Sequence, residues 1–71
     1  MRADRLKRGD RVHVAGQGWR ALSRVSPVHR ADWIGEGPGP AITLSWRHKG
    51  ITHRQDVKPD AEIPTLGENE D

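Results

Sequence analysis

The sequence predicts a small all-β domain of four to five short antiparallel strands. Three observations carry this expectation. Val12 and Val14, and then Ile42, Leu44 and Trp46, recur at every second position, the period of a strand with one buried face. Turn signals separate these runs at Gly9-Asp10, Ala15–Gly18 and Lys49-Gly50. No stretch keeps the i, i+3, i+4 apolar spacing of an amphipathic helix.

The elements follow in order. Met1–Arg8 reads as a turn of helix or a flexible basic arm, with Leu6 as its large apolar anchor besides Met1. Arg11–Val14 is the first strand, and Ala15-Gly16-Gln17-Gly18 a turn in which two glycines supply positive φ without steric cost. Trp19–Val25 is the second strand, with Trp19, Ala21, Ser23 and Val25 on one face and Arg20, Leu22 and Arg24 on the other. Trp19 and Val25 are expected toward the core and the two arginines toward solvent. Ser26–Pro40 holds Pro27, Pro38 and Pro40 with Gly35, Gly37 and Gly39, and reads as a long loop tucking Trp33 or Ile34 onto the domain.

Ala41–Arg47 and Ile51–Val57 form a hairpin. With Lys49-Gly50 as a two-residue loop, Trp46 lies opposite His53, Leu44 opposite Gln55 and Ile42 opposite Val57; a four-residue loop keeps the same faces. Lys58–Glu62 reads as one 3₁₀ turn before a short last strand from Ile63, which Pro64 confines to an edge. The domain boundaries are then 1–8 for the arm, 9–64 for the folded unit and 65–71 for a disordered acidic tail.

Composition bounds function. The 71 residues suffice for one domain. A chain of this size buries only about 60% of the surface its unfolded form exposes, so a partner or a second copy can add stability, and a homo-oligomer stays open. There are no cysteines, which excludes disulfides and thiolate nucleophiles and fits a cytoplasmic protein. No run reaches the roughly 18 apolar residues of a membrane helix, and the charged N-terminus lacks the apolar stretch of a signal peptide. Residues 1–30 carry eight basic and two acidic groups, and residues 31–71 carry four and eight. That asymmetry suggests a polyanion-facing surface together with an acidic tail.

The order Gly-Asp-x-Val strand, glycine turn, second strand, long loop, hairpin with Trp-x-x-x-Gly, tight turn and short last strand resembles the SH3-like small barrels, which include Tudor-like and KOW-type modules. Leu6–Val12 looks like the usual start of such a barrel. Gly9-Asp10-x-Val12, Gly18 and Val25, with the Pro59–Glu62 turn, are similar in spacing to the RNA-polymerase-interacting domain of CarD-type regulators. The resemblance spans about residues 6–64 and implies the fold. Two departures stand out: Trp19, Arg20 and Ala21 replace the further glycines of a KOW pattern, and without Phe or Tyr there are too few aromatics for a Tudor-type cage.

Catalysis is not expected. There is no G-x-S-x-G elbow and no glycine-rich phosphate loop leading into a helix, and Asp56 and Asp60 are more simply a strand partner and a turn former. His13, His29, His48 and His53 lack metal-ligand spacing and read as surface residues, so no metal or other cofactor is expected. Trp46 belongs to the core, Trp19 sits at a turn-to-strand junction, and Trp33 is the candidate contact residue. Arg5, Lys7, Arg8, Arg11, Arg20 and Arg24 with Trp33 make up the expected binding surface for DNA or RNA, the basic groups on phosphates and the indole on a base. The alternative is a protein-interaction module docking on transcription machinery or another protein, by strand addition at an open edge.

Overall fold

The computed structural model describes residues 1–66. Five antiparallel strands form one sheet: β1 (Arg11–Val14), β2 (Gly18–Val25), β3 (His29–Trp33), β4 (Gly37–His48) and β5 (Ile51–Val57). β4 is the spine. Its first half pairs with β3, and its second half lies between β2 and β5. β1 joins the outer side of β2, and no ladder links β1 to β5 among the described residues, so the sheet is not closed.

The β4–β5 hairpin forms where its alternation predicts. Ile42 pairs with Val57, Leu44 with Gln55 and Trp46 with His53, and the loop is Lys49-Gly50. Both loop residues have positive φ, 53° and 78°, as a type I′ turn requires. Ile42, Leu44 and Trp46 point into a core shared with Ala3, Leu6, Val12 and Leu22, against which Val14, Val25, Val57 and Ile63 pack. Burying a large apolar side chain contributes roughly 1.5–3 kcal/mol, and this small set supplies most of what holds the sheet together.

Three expectations are corrected. The Ser26–Pro40 stretch is a second hairpin, in which His29–Trp33 pair with Gly37–Ala41 around Ile34-Gly35-Glu36. Prolines fit a strand when their missing donors face an unpaired side. Pro38 and Pro40 are two apart and share one side, and this half of β4 is paired only with β3.

The faces of β2 also differ from a simple alternation. Leu22 is opposite Trp46, yet Arg24 is opposite Ser45, so a bulge at Ser23 inserts one residue. Leu22, 2% exposed, therefore points inward while Arg24 points outward. Trp19 stands on the outer face beside His13, 42% exposed.

The third correction concerns the two ends. Among the described residues the 3₁₀ turn is Ala3–Arg5, and a turn closed by Ala61 N–H to Lys58 O follows β5. Among the described residues Ile63 starts no strand; the isolated bridges Arg2–Glu62 and Val12–Thr65 form there instead, and Pro59 and Pro64 have no N–H to donate to a ladder. Met1–Leu6, read as part of an arm, lies along this segment. Ala3 and Asp4 donate to Ala61 O and Pro59 O, Ile63 donates to Met1 O, and Ala3 and Leu6 are buried. Residues 67–71, most of the acidic tail, lie outside the described residues.

Candidate functional site

The bulge in β2 sets the site. It turns Arg24 onto the outer face, where Ser45 lies between Arg24 on β2 and Arg54 on β5. Ser23, Ser26, Thr43, Ser45 and Thr52 line the same groove, of about 370 Å³. Two of these hydroxyls are anchored to the sheet: Ser23 Oγ donates to Ser45 O over 3.2 Å, and Ser26 Oγ accepts from Thr43 N over 2.8 Å. Arg24 is also one wall of an adjoining cleft of about 670 Å³, whose far side carries Lys7 and Arg8. The folded N-terminal segment thus brings two basic residues to the sheet, and Arg24 joins the two clefts into one track.

Of the carboxylates near this track, one is ion-paired and one accepts from a hydroxyl. Asp4, the one carboxylate lining the larger cleft, pairs with Arg2 at 3.0 Å. Asp56, on the outer face, accepts from Thr43 Oγ1 at 2.6 Å, and His29 Nε2 lies 2.8 Å from the same hydroxyl. Among the described residues, the salt bridges are Met1–Glu62, Arg2–Asp4 and Lys58–Glu36. None of them involves Lys7, Arg8, Arg11, Arg24, Arg47 or Arg54.

The residues singled out from sequence therefore separate. Lys7, Arg8 and Arg24 come together. Arg11 stands on the same outer face, opposite Ala21 and next along β1 from the His13–Trp19 pair, whose rings meet edge-on at 5.3 Å. Arg5 is exposed on the docked N-terminal turn and lines neither cleft. Arg20 faces the other way, on the side of Leu22, where its Nε donates to Gln17 O over 2.9 Å.

Trp33 lies apart from the track. It packs over Gly39, donates from Nε1 to Pro40 O over 3.2 Å, and has Lys58 Nζ 5.6 Å from its ring. Together with Pro38, Pro40 and Pro59 it lines a separate cleft of about 500 Å³. Sequence reasoning placed Ser45 opposite Arg54 and Arg47 on the Thr43–Ser45 face, but did not count either arginine as a site residue. The signal was that shared strand face.

No family model, curated protein or solved structure matches this chain. The site must be read from its own geometry. Beyond the core end of the inner face, His53 stacks on Trp46 at 5.9 Å, and His48 lies 6.2 Å from His53. Partial burial first, and then the positive charges of Arg20, Lys49 and His53, hold the His48 imidazole below its ordinary pKa. Among the described residues, no group of three or more His, Asp or Glu side chains is arranged to hold a metal, and no helix is long and apolar enough to cross a membrane.

Proposed function

We propose that this chain is a non-catalytic nucleic-acid-binding module whose basic track follows a phosphate backbone. The observation that carries the reading is Arg24, shared by two clefts that gather Lys7, Arg8 and Arg54, four basic groups that make no salt bridge among the described residues. Guanidinium groups spaced along a hydroxyl-lined groove suit phosphate oxygens, which take charge-assisted bonds from arginine and weaker ones from serine and threonine. Trp19 and His13 on the same outer face offer ring surfaces on which an unstacked base can rest. The same reading takes the sheet as an SH3-like small barrel left open between β1 and β5. The Val12–Thr65 bridge, which brings the chain after β5 back to β1, supports that assignment.

A second reading, a protein-docking module, draws on the fully exposed Ile34 beside the Trp33 cleft. The test is anisotropy of labelled single-stranded and duplex DNA and RNA across a salt series. Binding is expected to weaken with salt, and R8E/R24E is expected to weaken it further and to lower the logarithmic salt slope by roughly one to two. Binding that is absent, or indifferent to salt, overturns the first reading. Loss of a bound protein on Ile34→Asp, with R8E/R24E unaffected, selects the second.

A further inference from the structure

We propose that β5 is the contact edge of a homodimer in which two copies pair their β5 strands antiparallel about a two-fold axis at Gln55. The hairpin fixes which peptide groups are free. In a two-residue loop the flanking pair, His48–Ile51, is hydrogen-bonded, so Ile51, His53, Gln55 and Val57 direct their N–H and C=O groups to β4. Thr52, Arg54 and Asp56 direct theirs away. The other side of β4 agrees: Thr43 O accepts from Ser26 N, so Thr43 faces β2, and its partner Asp56 turns its peptide groups outward. These groups have no backbone partner among the described residues.

Two other margins are guarded, and β3, which likewise pairs only with β4, has 5 residues against the 7 of β5. Thr65 bridges Val12 and Leu66 N–H donates to Arg11 O, covering β1. Pro38 and Pro40 face the side of β4 that continues beyond the end of β5, where they remove two donors. β5 itself, Ile-Thr-His-Arg-Gln-Asp-Val, holds no proline, glycine or lysine and no bulge. An unguarded edge of this length is a template for another strand.

Charge selects the occupant and the register. Centred on Gln55, the pairing places Arg54 opposite Asp56 of the partner subunit, and the two-fold axis repeats that contact. A register centred on Arg54 opposes two arginines, and one centred on His53 sets Arg54 against threonine. The strand is complementary to itself in one register, which points to a second copy of this chain. The axis is perpendicular to the sheet, so both outer faces lie on the same side.

The experiment is sedimentation equilibrium of the full chain, free of nucleic acid, over a wide concentration range. A mass of twice 8.0 kDa is expected at the upper end. D56R and R54D each place like charges opposite one another and should raise the dimer dissociation constant about tenfold or more. The swap R54D/D56R should restore pairing. D56N keeps an acceptor for Thr43, so it tests the charge without that contact if D56R fails to fold. A monomer up to about 1 mM, or a dimer indifferent to both single reversals, overturns the proposal. R8E/R24E lies away from β5, so failure of the nucleic-acid reading and failure of this one are distinguishable.

Discussion

The indole N–H of Trp46 donates to Gln17 Oε1 over 2.9 Å, tying a buried ring of β4 to the turn between β1 and β2. Trp46 is 4% exposed, so water is a poor substitute for that acceptor. The contact joins the sheet's spine to the hairpin that lies farthest from it in sequence.

Gln17→Leu keeps the bulk and removes the acceptor. The indole N–H is then left enclosed and unpaired, and the expected loss of stability is about 1–2 kcal/mol. Urea denaturation followed by tryptophan fluorescence measures it. An unchanged midpoint with an unchanged slope shows that the bond adds nothing net.

The Lys49-Gly50 loop offers a second test. Lys49 adopts φ 53° with a side chain that gains nothing from the left-handed region. Lys49→Asn supplies a residue that tolerates this conformation and should stabilise the hairpin by about 0.5–1 kcal/mol. Gly50→Ala, at φ 78°, should destabilise by about 1 kcal/mol. Thermal melts of the two variants in parallel report both signs.

His48 makes stability depend on pH. Its folded pKa lies below 6.5, so the unfolded chain binds the proton more readily than the folded one. The stability it contributes is present above pH 6.5 and is lost as pH falls from there through the lower folded value. His48→Gln removes this loss. Its melting temperature should fall less than that of the parent chain between pH 7.5 and pH 5. An equal fall in both sinks the assignment to His48.

The β4–β5 hairpin was readable from sequence because Ile42, Leu44 and Trp46 alternate and a Lys-Gly pair closes the turn, which fixed the faces; two loop lengths kept those faces, and the sheet selects the two-residue one. β3 was not. The run Gly37-Pro38-Gly39-Pro40 looks like a strand breaker until the edge faced by the prolines is known, and only the assembled sheet shows that. The bulge in β2 hid part of the site in the same way. Strict alternation puts Arg20 and Arg24 together, whereas one inserted residue sends them to opposite faces. Lys7 and Arg8 meet Arg24 because Ala3 and Leu6 bury the N-terminal segment, a long-range docking that local pattern does not encode.

The two prolines at the start of β4 have a consequence for which margins of the sheet can take up another strand. Thr65 lies over one margin, and Pro38 and Pro40 withhold donors along another, so neither offers an unbroken ladder to a further strand.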